Sequence, residues 1–371
     1  MPEENTDQAV ASLAPPDIEG PGVTGPQAAW SEISPEEAAD WNDRLLRSNA
    51  DLQQYPYWNE SYRRVYLIPR YLAWPSLGRP QGFACILTLG PRHYRIGLLV
   101  RGPVSLTPAP LPDSALGALW AWTKAQGYFF LRCTHRDGAL LNRLAASAPS
   151  QRVDAFPFYP DAFDELIVDQ KADDREMLSG FDREVRRKLR RAGEAGFEIT
   201  RSDSPETLSA MWALFEGCCR RKGFRLYRSR EGYCDIVRRA RHTGCAWVYA
   251  VYKDGRAVAS SLVCLDGRSA HCIVAALDLQ ALQGAPSPSV LLHWHSMREM
   301  YRLGRAEYNF GGGPETVAQF KNQFSPRLQS FPAPVTLAVR PLAFRIWLQA
   351  ILPFVRELAP IVKWFVSRIQ R

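Results

Sequence analysis

The chain has 371 residues, of which 46% are hydrophobic and 23% charged; this is enough for two domains with separate cores and excludes a wholly disordered protein. Its formal charge of +8 favours anionic partners such as phosphates, RNA or acidic lipid. The eight cysteines show no C-x-x-C spacing, which indicates neither a zinc site nor a disulfide scaffold and points to a reducing compartment.

Residues 1–29 are rich in Pro, Gly and acidic side chains and lack periodicity, which predicts a disordered tail. The start has no charged stretch followed by an apolar core, so no signal peptide is expected and the location expected is cytoplasmic. Over 30–175 the patterns predict a helix at 35–46 with Ser34 as its cap, strands at 65–68, 83–89 and 94–100, a helix at 114–126 and a strand at 128–133.

A second unit is expected over 176–340, with helices at 181–194, 205–219 and 233–242. Three strands follow at 246–252, 257–265 and 269–276, turned by Asp254-Gly255 and Asp266-Gly267. A helix at 289–303 closes on Gly304, and a strand at 307–310 runs into Gly311-Gly312-Gly313, where glycine allows a positive φ or close approach to a ligand. This order of strands and helices predicts an α+β (mixed α/β) fold.

Two basic clusters stand out. Six of the nine residues from Arg183 to Arg191 are Lys or Arg, with Val185 and Leu189 as a thin apolar seam. Such a helix is either a solvated face or, through Arg186 and Arg187, a contact for a phosphate-rich partner. The second cluster, Arg220-Arg221-Lys222, ends a helix, where cations complement the helix dipole.

From 341 to 371 the sequence alternates large apolar residues with Arg345, Arg356, Lys363, Arg368 and Arg371 against one acid, Glu357. Its longest charge-free run, 346–355, is ten residues, well short of the roughly 20 needed to span a bilayer. Pro353 and Pro360 divide it, so short amphipathic helical pieces are expected, lying on an anionic inner leaflet or packed on the protein.

The run Pro288, Leu291-Leu292, Trp294, Gly304, Tyr308-Asn309-Phe310-Gly311-Gly312, Phe320-Lys321 and Phe324 resembles the second half of the FemA/FemB/FemX family. Arg101-Gly102-Pro103 resembles the family's first-domain turn, and Val185–Ala192 its basic helix; together the match spans roughly 52–331. The resemblance implies two GNAT-like (acetyltransferase-like) domains in tandem. It also implies an aminoacyltransferase acting on a peptidoglycan or other cell-envelope precursor, with aminoacyl-tRNA as donor and no permanently bound cofactor.

The chemistry so implied is attack of a neutral amine on an activated ester, through a tetrahedral oxyanion. The resemblance makes Lys321 the residue to stabilise that oxyanion, with Phe320 framing it and Asn309 standing where the family has an acid. Gly311, Gly312, Gly313, Tyr308, Arg101, Arg63, Arg221, Arg186 and Arg187 are the implied substrate contacts. Two other readings stay open: a GNAT enzyme using acyl-CoA on an amino sugar in exopolysaccharide synthesis, and a non-catalytic RNA- or membrane-surface-binding protein. An Arg/Gln-x-x-Gly-x-Gly/Ala pyrophosphate loop, expected for acyl-CoA, is not apparent.

Overall fold

A computed structural model describes residues 29–75, 79–91, 94–152, 164–223, 228–282, 284–312 and 315–353. The expected tail at 1–28, most of 341–371 and Gly313 lie outside the described residues. In chain order the strands are β1 (Ser31–Ile33), β2 (Ile68–Trp74), β3 (Gly82–Leu89), β4 (Arg95–Val100), β5 (Val104–Ser105), β6 (Tyr128–Thr134) and β7 (Ser150–Arg152). They continue with β8 (Glu165–Asp169), β9 (Glu198–Ser202), β10 (Ala246–Lys253), β11 (Arg256–Leu265), β12 (Ser269–Leu277), β13 (Glu307–Asn309), β14 (Arg327–Gln329) and β15 (Val335–Ala338).

These strands build two mixed sheets, ordered β1-β2-β3-β4-β6-β15-β7, with β5 on β3, and β14-β8-β13-β12-β11-β10-β9. Each sheet repeats one plan: an antiparallel meander, then a parallel pair bridged by a helix. The bridging helices are Asp113–Ala125, between β4 and β6, and Ser289–Arg302, between β12 and β13. The duplication leaves almost no trace in the residues, yet the topology repeats it.

The packing units differ from the segments 30–175 and 176–340. β8 leaves the first half to pair with β13 and β14 in the second sheet, and β15 returns from the end of the second half to lie between β6 and β7 in the first. The two domains therefore exchange a strand each. Their cores are also joined: Tyr71 and Phe83 of the first sheet belong to one buried cluster with Tyr55, Tyr57, Tyr249 and Tyr308. A separate cluster of Leu99, Leu116, Leu131 and Leu141 fills the other face of the first sheet.

The segment 49–64 ties the domains together. Tyr57 donates to the carbonyl of Leu265 at 2.5 Å, Arg64 pairs with Asp235 at 2.6 Å, and Arg228 stacks on Trp58 at 3.9 Å while donating to Ser61. A Cβ on Gly267 would sit 2.4 Å from the Cα of Asn49, so the β11–β12 turn meets the first domain backbone to backbone.

Local signals explain most elements. Ser34 caps Pro35–Ala39 by accepting from the Glu37 amide, although the single helix expected at 35–46 is two, Pro35–Ala39 and Asn42–Arg47. Asp254 and Gly255 take positive φ of 51° and 75° in the β10–β11 hairpin. The strand expected at 65–68 is a correction: Glu60–Val65 is a 3-10 helix closed by a left-handed Tyr66, and β2 begins at Ile68.

Candidate functional site

In the second sheet β12 and β13 run parallel but pair at three positions only, Ser269 with Glu307, Ala270 with Tyr308 and His271 with Asn309. Past Asn309 the chain leaves the sheet, while β12 continues to Leu277 along β11. The result is a split between two parallel strands. At its apex β12 bulges: Leu262 faces Val274 and Val263 faces Cys272, so Ile273 is the extra residue of a β-bulge, without a ladder partner.

The glycine loop follows β13. Gly311 has φ of +64°, a left-handed conformation, and a Cβ there would meet nothing within 4 Å. Lys321, on the Glu315–Asn322 helix, reaches back under this loop and donates to the carbonyls of Phe310 (2.7 Å), Gly311 (3.3 Å) and Gly312 (2.5 Å). An ammonium has three protons, so Lys321 acts as a clasp that draws the loop's carbonyls inward. A trans peptide sets its N–H opposite its C=O, so the Gly312 N–H is aimed away from the lysine.

Aromatic packing fixes that clasp. Phe310, Phe320 and Phe324 surround His293 with ring centroids at 5.0, 5.7 and 6.0 Å. Burial pushes the His293 imidazole down to about 3, with the Lys321 charge adding to the effect. Burial also holds the Lys321 ammonium below the ordinary lysine range, and it pushes the Cys272 thiol up to about 11 against the pull of the Lys321 charge. Phe320 thus packs on His293, and the lysine's polar partners are all backbone.

Alternation along β13 sends the side chains of Tyr308 and Asn309 to opposite faces. Tyr308 is fully buried, its hydroxyl sharing hydrogen bonds with His293 Nδ1 (3.2 Å) and Ser296 Oγ (3.0 Å), so it supports the site from within the core. Asn309 donates to Glu165 Oε2 on the neighbouring strand β8 at 2.8 Å and accepts from the Gly311 amide at 2.7 Å. An aspartate here would set a second carboxylate against Glu165. The amide lets one side chain hold both the loop and that acid.

Glu165 opens onto a buried ionic network between the domains. Arg101 and Arg136 approach it at 3.4 and 3.6 Å, and Arg136 also meets Asp51 at 2.7 Å. Arg101 stands at φ of 59° with its guanidinium over the Phe331 ring. Burial raises the Asp51 carboxyl to about 6, although Arg136 and Arg101 oppose the rise. Asp266 is buried too, but His271 at 2.6 Å and the Ser269 amide carry its carboxyl below the usual range.

The remaining arginines lie elsewhere. Arg221 donates to the carbonyl of Leu277, the last residue of β12, four residues beyond the bulge. Arg63 forms a two-point pair with Glu60 (2.7 and 3.2 Å) and lines a first-domain cavity of about 320 Å³ together with Arg70 and Arg95. Arg186 donates to the carbonyl of Ser179 and Arg187 pairs with Glu184 on the exposed side of the Arg183–Gly193 helix, away from the glycine loop's contacts. Sequence reasoning gave no part to Cys272, Glu165, Asp51, Arg136 or His271; isolated titratable residues on unrelated segments carry no spacing signal.

Among the described residues no group of His, Cys, Asp and Glu could hold a metal ion, and no helix is long and apolar enough to cross a membrane.

Residues 179–322 match the acetyltransferase (GNAT) domain family, so the second half carries an acyltransferase-class domain. No curated protein matches the sequence. In fold, the chain is similar to FemX, at 17% identity and a TM-score of 0.71, with 85% of this chain and 99% of that one covered. It is also similar to the C-terminal domain of a putative lysylphosphatidylglycerol synthetase from Agrobacterium fabrum, at 14% identity and TM-score 0.53, covering 87% and 97%. A tandem GNAT protein from the clavulanic acid biosynthesis pathway aligns at 11% identity and TM-score 0.50, covering 84% and 98%. The two sheets are thus two GNAT-like domains in tandem.

Proposed function

We propose that this chain, whose second half is a GNAT domain and whose fold is that of FemX, transfers an aminoacyl group from aminoacyl-tRNA to an amine of a peptidoglycan or other cell-envelope precursor. The observation that carries the reading is the split between β12 and β13, capped by a glycine loop that Lys321 holds from below. The amine lone pair attacks the ester carbonyl carbon and a C–N bond forms. The carbonyl oxygen takes the negative charge; the C–O bond to the ribose then breaks, and the leaving oxygen takes up the proton shed by the new ammonium.

Backbone donors serve that oxyanion best, because they are fixed before the reaction starts. Among the described residues, we assign that role to the Ile273 amide at the bulge and the Gly312 amide. Lys321 then acts through position and charge: it orients the loop, and its ammonium lies one peptide away from the developing negative charge. Arg221, at the C-terminal end of β12, is suited to a phosphate of the donor, and Arg63, Arg186 and Arg187 to acidic groups of the acceptor and of tRNA.

A second reading keeps the same site but takes acyl-CoA as donor, and the match of 179–322 to an acetyltransferase domain favours it. The test is to incubate the purified protein with charged tRNA and, separately, with labelled acetyl-CoA, each with an extract of envelope precursors, and to follow label into acid-stable amides. Transfer from tRNA is the expected result. Transfer from the thioester alone overturns the donor assignment, and transfer from neither favours a binding protein.

A further inference from the structure

The helical segment over 341–353 has two faces of different kinds. One is built into the protein: Phe344 lies against Phe129 and Phe130 at 6.0 and 5.0 Å, Trp347 packs on the same pair at 6.4 and 5.5 Å, and Leu352 is buried. These contacts seat the segment on the face of the first sheet opposite the Leu116–Leu141 cluster. The other face carries Leu342, Arg345 and Ile346, at i, i+3 and i+4, one stripe along the α-helix Pro341–Ile346.

That stripe is exposed and apolar at once. Leu342 is 73% exposed and Ile346 55%, one turn apart, with the cations of Arg340 and Arg345 beside them. Large hydrophobic side chains standing in water next to cations are what an interfacial helix presents to an anionic bilayer. The sequence continues in kind: 354–371 holds Phe354, Val355, Leu358, Ile361, Trp364, Phe365 and Ile369 with Arg356, Lys363, Arg368 and Arg371 against a single Glu357.

We infer that the Leu342–Arg345–Ile346 stripe is a docking surface for an anionic lipid bilayer. Charge complementarity selects the occupant. A second copy of a chain with net charge +8 would bring like charge against Arg340 and Arg345, whereas phosphatidylglycerol supplies negative charge and an apolar layer within reach of the two side chains. Because the opposite face is anchored by Phe344 and Trp347, binding needs no rearrangement of the fold. The inference does not depend on which acyl donor is used.

The test is flotation of the full-length protein with vesicles of phosphatidylglycerol and phosphatidylcholine in equal parts, and with phosphatidylcholine alone. We expect flotation with the anionic vesicles only, weakening as salt is raised. The double variant Leu342→Asp, Ile346→Asp should lose about tenfold or more in partitioning, and Arg345→Glu a smaller factor, with unchanged circular dichroism and melting temperature. Absence of flotation, or a double variant that floats like wild type, overturns the inference. Two further results also overturn it: a double variant that turns an oligomer into a monomer by light scattering assigns the face to a second copy, and one that lowers the melting temperature of a non-floating protein assigns it to the chain's own 354–371.

Discussion

Each sheet contains one parallel strand pair bridged by a helix, and the two pairs are built differently. In the first domain β4 and β6 stay together over six pairs, from Arg95 with Tyr128 to Val100 with Thr134; in the second, β12 and β13 part after three. Below the closed pair Leu131 and Tyr128 fill the space, and below the open one the chain turns out into a glycine loop. Duplication thus leaves one unit whose parallel pair stays closed and one whose pair opens. The closed pair keeps Arg101 and Arg136 at the domain interface, where they reach Glu165 behind the loop.

If the domains are one cooperative structure, the largest effect comes from separating them. Each sheet has its next-to-last strand supplied by the other half of the chain, β8 in one direction and β15 in the other. A fragment ending before β15 leaves β6 and β7 unpaired at their facing edges, and the Tyr55–Tyr249 core is cut open. We expect neither residues 1–175 nor 176–371 alone to give a cooperative thermal transition, while the intact chain shows a single one by calorimetry. Two separate transitions in the intact chain would break the argument.

The second effect falls on turnover and on the open domain alone. Lys321→Met removes three donors from the loop carbonyls while keeping most of the aliphatic stem. A loop no longer held in register should cost about 3 kcal/mol of transition-state stabilisation, or roughly 100-fold in turnover. In the first domain Arg143, on the corresponding helix Gly138–Ala146, pairs with Asp113 at the surface, so Arg143→Met should leave turnover within about twofold. Equal losses from both would remove the distinction between the domains.

How much of this was legible varied with the range of the interactions. The second-domain helices and the β10–β11 hairpin followed from periodicity and from Asp254-Gly255, because those signals are local. Strands of two to five residues such as β1, β5, β8 and β15 were missed: each pairs with segments far away in sequence, and β8 and β15 are specified by an exchange no local pattern encodes. At the site, the glycine loop and Phe320-Lys321 were visible as a motif, but Lys321's commitment to three carbonyls depends on a helix packing back under the loop. The Asn309–Glu165 contact joins residues 144 apart, and nothing in either neighbourhood announces it.

Asp51 sharpens the comparison through pH. Its folded-state carboxyl is raised from 3.8 to about 6, chiefly by burial, so between those values the native protein keeps a proton that the unfolded chain has released. The term therefore favours folding at low pH and is lost as pH rises towards 6, by about 3 kcal/mol in all. Asp51→Asn removes a group that titrates in this window. In urea unfolding, the stability difference between wild type and variant should shift in the variant's favour between pH 4 and pH 7, less whatever the Arg136 pairing returns. An unchanged difference would place the carboxyl in water rather than in the closed interface.

The smallest effects come from one substitution made in each domain. Gly97 lies on β4 in the closed pair, where an added Cβ would stand 2.7 Å from Leu131 Cδ1 and 2.9 Å from Tyr128 Cε1, so Gly97→Ala must push packed side chains apart at about 1–3 kcal/mol. Gly311 is the opposite case: a Cβ meets nothing, but φ of +64° costs an alanine about 1 kcal/mol. The two variants should also part in kind. Gly97→Ala lowers the urea midpoint and spares turnover per folded molecule. Gly311→Ala moves the midpoint less but lowers turnover, because part of the strain relaxes by rotating the peptides whose carbonyls Lys321 holds. Measuring both quantities on both variants shows whether the open strand pair is where the chemistry is done, since overpacking alone predicts the reverse ranking for turnover.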